Sequence, residues 1–179
     1  MAICPLTTGF DYDCDDNAGG IEQGSILITQ LRNIESKTIT SGEVTALTQA
    51  TGTSFFNYKI RKNIAGAVTT ETHDPKIGID FYETVLSFTM NKLSKEKNTE
   101  FKLLAGEPLV IIYKDMNQVY HVIGLDNGAE KMGGTNGSQT GVEMAEQNGY
   151  QLAFTDQSRN YPYTVDPTVV SGLDIVVTP

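Results

Sequence analysis

The residues best suited to chemistry lie near the N-terminus, in the stretch FDYDCDDNAGG (residues 10–20). Alternating carboxylates are typical of calcium loops, and oxygen-bearing side chains fill positions 1, 3, 5 and 12 of an EF-hand pattern. Those side chains are Asp11, Asp13, Asp15 and Glu22. Calcium binding is therefore the first hypothesis that the stretch raises.

Two features exclude an EF-hand at this position. Position 6 of the loop requires a glycine for its sharp turn, and it is Asp16 here. The residues after Glu22, QGSILITQ, are typical of a strand, so the helix pair of the motif is missing. Two alternatives stay open: a calcium site of another kind, and a solvated acidic segment (1–24) whose Gly19 and Gly20 turn the chain into its first strand.

Cysteine and histidine are too few to indicate a metal centre or a catalytic group. Cys4 and Cys14 lack the spacing of a zinc site, and in a reducing cytoplasm two free thiols are favoured over a disulfide between them. His73 lies in a polar segment beside Asp74, and His121 lies inside a predicted strand. Neither has a nucleophile in a strand-to-helix elbow, and there is no phosphate-binding loop, so we predict no catalytic, cofactor-binding or metal-binding residues.

Composition indicates one domain that does not bind nucleic acid. The 179 residues suffice for a single core, and the formal charge of -9 disfavours a surface that grips phosphates. The apolar segments are too short for a membrane helix, and MAICPLTTGF does not resemble a secretion signal. We therefore expect a single domain (1–179) that is made in a cytoplasm and does not enter a membrane.

Short apolar segments rich in β-branched and aromatic residues predict a mainly β protein. Residues 25–31 read as the first strand, and residues 54–63 alternate, which predicts Phe56, Tyr58 and Ile60 on one buried face. The polar residues 64–78 carry two glycines and a proline, and they predict a long loop before a second alternating strand over 80–93.

One helix and one hairpin follow. Ser94 is a candidate N-cap and Gly106 a candidate stop for a helix between them. Residues 108–114 and 119–125 then predict a hairpin. GYQLAF and SGLDIVV indicate two further strands near the C-terminus.

Several stretches together resemble virion structural proteins of tailed bacteriophages. They are CPLTTGFDYDCDDNAGGIEQGSILI, FFNYKIRKN, NKLSKEKNTEFKLLAGEPLVIIYKD and VIGLDNGAE…TGVEMAEQNGYQLAFT. Taken in that order they resemble tail-tube-like proteins of phages that infect Bacteroidetes, including the crAss-like group. The opening differs from the family, which often has a basic residue after the aspartate–cysteine pair, where Asp15 and Asp16 stand here.

The resemblance implies an antiparallel β-sandwich or barrel with one flanking α-helix, in subunits that form rings, commonly hexamers, which stack into a tail tube for DNA passage. It implies that the partners are further copies of the chain and other tail or neck proteins, that DNA passes without specific binding, and that the protein resides in the virion. A ring is held by heterologous contacts, and stacking needs an arm. We predict loop 64–78 as that arm, so that its deletion would leave a folded protein unable to assemble.

Three alternatives stay open from the sequence. One is a ring or connector protein between portal and tail. Another is a secreted or surface β-sandwich module, although the absence of tryptophan disfavours a site that stacks sugars. An enzyme with dispersed carboxylates is the third.

Overall fold

Strands make up most of the chain, as its β-branched and aromatic segments predict. The computed structural model describes residue 9, residues 17–133 and residues 137–177. These residues contain the following strands: β1 (Ile21–Gln30), β2 (Ile34–Thr40), β3 (Glu43–Gln49), β4 (Phe55–Tyr58), β5 (Ala65–Asp74), β6 (Ile79–Asn91), β7 (Leu109–Asp115), β8 (Tyr120–Ile123), β9 (Glu130–Lys131), β10 (Gly137–Thr140), β11 (Asn148–Ser158), β12 (Tyr163–Val165) and β13 (Ile175–Val176). Two helices, α1 (Lys95–Leu103) and α2 (Pro167–Ser171), complete them, so the predicted mainly β class is confirmed.

Eight strands form the first sheet, in the order β13-β4-β1-β7-β8-β12-β3-β2. Its two ends approach each other, because Gln49 at the end of β3 exchanges hydrogen bonds with the backbone of Asp174, next to β13. The sheet is therefore curled. Its inner face holds an apolar cluster with fully buried Val44, Phe55 and Ile112, which α2 covers through Val170.

The second sheet is antiparallel and follows the order β10-β11-β6-β5, with β9 paired to one part of β11. β6 is its longest strand and pairs with β11 on one side and with β5 on the other. This sheet lies against the convex face of the first, and their facing side chains form the larger apolar cluster, which includes Ile28, Ile111, Leu86, Phe88 and Phe154. The arrangement is the predicted β-sandwich.

Helix α1 flanks the sandwich as predicted. The side chain of Ser94 caps it by accepting a hydrogen bond from the backbone of Lys97 at 3.3 Å. Phe101 packs edge-on against Tyr150 of β11, with ring centroids 4.8 Å apart. The hydroxyl of Tyr150 also donates to Asn98 at 2.6 Å. One face of the helix thus closes the edge of the main core.

The predicted loop at 64–78 is wrong. Ten of these residues form strand β5, and only residues 75–78 make a turn to β6. Pro75 and Gly78 lie in that turn, where they interrupt no strand pairing. Ala65 and Ala67 pack on the main core. The segment looked like a loop because the remaining side chains of this edge strand are small or polar.

Smaller differences have local causes. The first strand begins at Ile21 rather than at residue 25, since Ile21 pairs with Asp115 across a bulge. Phe55 is buried, against the alternation, because β4 has an apolar cluster on each side, and Phe56 is exposed because neither cluster includes it. The closing strand β13 has only two residues and follows the unpredicted α2, which Asp166 caps ahead of Pro167. The predicted hairpin over 108–125 is confirmed as β7–β8.

Candidate functional site at the open edges of the second sheet

Strand β5 leaves one side of its backbone unpaired among the described residues. It pairs with β6 in the register Ala65↔Phe88 to Asp74↔Ile79. The backbone of Thr89 donates to Ile64, one step before that register begins. Paired and unpaired residues alternate in an antiparallel ladder. The N–H and C=O groups of Ala65, Ala67, Thr69, Glu71 and His73 therefore point away from β6, toward the open edge.

The first half of this edge lacks the features that usually prevent strands from pairing between molecules. Residues 65–70, AGAVTT, contain no charge and no proline. The outer strand β2 of the first sheet, by contrast, carries Glu35 and Lys37 and has two register shifts against β3. At the opposite end of the first sheet, β13 has only two residues. β5 is the longest strand with an unpaired edge in the described residues, and residues 17–21 lie across a cavity from Gly66 and Ala67 at its start.

Strand β10 is the other edge of the second sheet that is unpaired in the part of the chain that the structure describes. Every one of its four residues is exposed, and it pairs with β11 on one side. The backbone of Gly141 donates to Gln147, one step beyond this ladder, so by the same alternation Ser138 and Thr140 direct their backbone groups outward. The path β10-β11-β6-β5 has four antiparallel strands, and β5 and β10 therefore run in opposite directions.

Apolar side chains lie in water beside both edges. The β5–β6 hairpin extends beyond β11, whose last partner is Tyr82, and its tip carries exposed Ile77 and Ile79. Residues 141–147, which connect β10 to β11, expose Val142 and Met144 completely. Isolated exposed apolar residues are ordinary, but two pairs at the ends of unpaired strands are typical of a protein contact surface.

His121 lies in β8, within the sheet as predicted, and has a hydrogen-bonding partner. Its Nε2 is 3.2 Å from a carboxylate oxygen of Asp115, and its ring stacks on Tyr113 with centroids 5.3 Å apart. A cavity of about 300 Å³ lies beside the pair. None of the described residues that line this cavity is a serine, threonine or cysteine. The arrangement can hold a hydrogen-bonded ligand or a water molecule.

His73 is in strand β5, not in a loop as predicted. Its side chain is well exposed, and its Nδ1 is 3.9 Å from Asp80 on the neighbouring strand. The two histidines belong to different sheets, His121 to the first and His73 to the second. Among the described residues no group of three or more carboxylate, histidine or cysteine side chains is placed to hold a metal ion. Cys4, Cys14 and the aspartates of residues 11–16 lie outside the described residues.

One buried carboxyl group connects the two sheets. Asp156 in β11 accepts a hydrogen bond from the backbone of Gly124 at 2.8 Å, and its second oxygen is buried without a partner in the described residues. Burial raises the pKa of Asp156, and the nearby Asp126 adds to the shift, while the bond from Gly124 opposes it. Sequence reasoning missed this residue, because Gly124 and Asp156 are far apart in the chain.

No family model, no curated protein and no solved structure matched this chain in comparisons with known proteins. No helix in the described residues is long and apolar enough to cross a membrane. The resemblance to phage tail proteins therefore stays a prediction.

Proposed function

We propose that this chain is a structural protein of a phage virion whose copies assemble edge to edge into rings, and that these rings stack as a tail tube. The observation that carries the proposal is the pair of open strands at opposite edges of one four-strand path. Different surfaces on the two sides of a subunit make a heterologous contact, which closes into a ring when the rotation between copies permits.

The strand directions support this mode of assembly. β5 and β10 run antiparallel, so copies related by rotation can join β5 of one to β10 of the next. Each added copy then extends an all-antiparallel sheet around the ring, and only the two edges need to change their surroundings. Closure into a ring also removes the exposed edges that would otherwise favour uncontrolled aggregation.

The arm that the sequence predicts at 64–78 is then only the tip of the β5–β6 hairpin, because most of that segment is strand β5. The tip extends beyond the sheet with Ile77 and Ile79 exposed, and it would contact a neighbouring ring. Deleting all of 64–78 would also remove Ala65 and Ala67 from the core, so a shorter replacement of the tip tests the same idea better.

Charge is consistent with passage of DNA. The formal charge is -9, and a basic channel would bind phosphates and slow their movement. The tube would then act as an inert passage, with no specific contact to DNA.

Negative-stain electron microscopy and light scattering of the purified protein over a range of concentrations test the proposal. We expect rings that stack into tubes as the concentration rises. Single rings that never stack would indicate a connector between portal and tail instead. Monomers at every concentration would contradict self-assembly.

A further inference from the structure

A groove with a cationic rim lies between the start of β1 and the segment that leaves β4. Its volume is about 490 Å³. Lys59 and Lys62 line one wall, and residues 22–24 line the other. Ile60 and the partly exposed Met116 supply an apolar surface between the walls. The groove therefore offers both charge and apolar area to whatever covers it.

The positive charge of this groove is not neutralised by the described residues. Lys59 and Lys62 are exposed, and neither forms an ion pair within residues 17–133 and 137–177. The one carboxylate on the opposite wall, Glu22, is already paired with Lys114 at 2.8 Å. A local cationic excess of this kind is unusual in a chain whose formal charge is -9.

The chain enters the described region beside this groove. The side chain of Asn117 accepts a hydrogen bond from the backbone of Ala18 and donates one to Asn17. The backbone of Met116, which lines the groove, donates to Gly20. Residues 10–16 precede this point, and an extended chain covers about 3.3–3.6 Å per residue, so seven residues reach roughly 23 Å.

We propose that the acidic segment 10–16 binds the cationic groove of its own chain. Asp11, Asp13 and Asp15 would neutralise Lys59 and Lys62, while Phe10 and Tyr12 cover Met116. Alternating side chains of an extended segment point to opposite sides, which allows the carboxylates and the rings to contact different parts of the groove. A tether this short gives an effective concentration in the millimolar range, which favours the chain's own segment over one from a second copy.

The native Cys14 lies among these aspartates and reports on their contact with the groove. In a Cys4→Ser background, the rate of alkylation of Cys14 is measured for the parent and for Lys59→Glu/Lys62→Glu. We expect alkylation to be about tenfold faster in the double variant, and faster in the parent at high salt, because exposed ion pairs are weak and screened. Lys95→Glu/Lys102→Glu makes the same change in charge on α1 and should leave the rate unchanged.

A second experiment traps the contact directly. Met116→Cys in the Cys4→Ser background should form a disulfide with Cys14 within one chain, because Cys14 lies on the same side of the segment as Phe10 and Tyr12, whereas Lys95→Cys should not. Equal alkylation rates in all variants, or a cross-link that forms as readily at Lys95, would overturn the proposal. Protection that appears only at high protein concentration, with cross-linked dimers, would overturn it in favour of exchange between copies.

Discussion

Proline at Thr69 should prevent assembly while leaving the subunit folded. The backbone N–H of Thr69 points to the open edge of β5, so proline removes a donor that β6 does not use. Thr69→Val is the matched control, since it keeps the N–H and loses the same hydroxyl contact, 2.9 Å, to Thr84.

The choice of Thr69 for this substitution follows from the register of the second sheet. Gly137 of β10 lies level with Gln151, Thr89 and Ile64 across the four strands. Strands about 4.8 Å apart that tilt by about 40° in a closed barrel are staggered by roughly 16 Å over four strands, or about five residues. Only residues whose backbone groups face the edge can pair, so the closest register that uses Thr69 has a stagger of about six residues and places Ser138 and Thr140 of the next copy opposite Thr69 and Ala67.

The free-energy cost of the substitution adds up over all the subunit contacts of a ring. Losing one backbone hydrogen bond costs about 1 kcal/mol at each contact, and a hexamer has six such contacts, so ring formation weakens by about 10⁴-fold. Light scattering and electron microscopy of both variants measure assembly, and circular dichroism measures folding. Rings formed by Thr69→Pro at the same concentration as by Thr69→Val would refute pairing through this edge.

Three further predictions concern the tip, the buried carboxyl group and a crowded glycine. Replacing residues 73–80 with Asn-Gly keeps Thr72 opposite Phe81, so rings should form but fail to stack; normal tubes would contradict the role of the tip. Because the pKa of Asp156 is raised from 3.8 in the folded protein, its contribution to stability is largest below pH 3.8 and is lost as the pH rises through its folded pKa. In urea unfolding, Asp156→Asn should therefore be at least as stable as the parent at pH 7 and should have no such advantage near pH 3. Asp156→Ala should lose about 1–3 kcal/mol of stability, because the backbone N–H of Gly124 loses its acceptor. Gly124→Ala should destabilise the protein by about 2–5 kcal/mol in the same assay, since the φ of Gly124 is 76° and a Cβ there would lie 2.1 Å from the carbonyl oxygen of Leu109. Gly133→Ala is the control and should leave stability unchanged, because no atom lies near the added Cβ.

Local patterns in the sequence predict much of this fold. The β class, the Ser94 cap of α1 and the β7–β8 hairpin all depend on residues close together in the chain. The short helix α2 could also have been found, because Asp166 followed by Pro167 is a regular start signal.

The other parts of the fold depend on contacts between residues that are far apart in the sequence. β5 reads as a loop until β6 is known to pair along its whole length, because an edge strand need not be apolar. The predicted burial of Phe56 failed for a similar reason, since the side of β4 that each cluster covers is set by strands far away in the sequence. The two open edges, which carry the proposed function, are a property of sheet order and have no local pattern at all.

The most direct test of the central claim is a three-dimensional electron microscopy reconstruction of the assembled protein at a resolution that separates strands. We expect β5 of each subunit to pair antiparallel with β10 of the next, so that one sheet continues around the ring. Rings in which these two edges stay unpaired, or a protein that remains monomeric at every concentration, would contradict it.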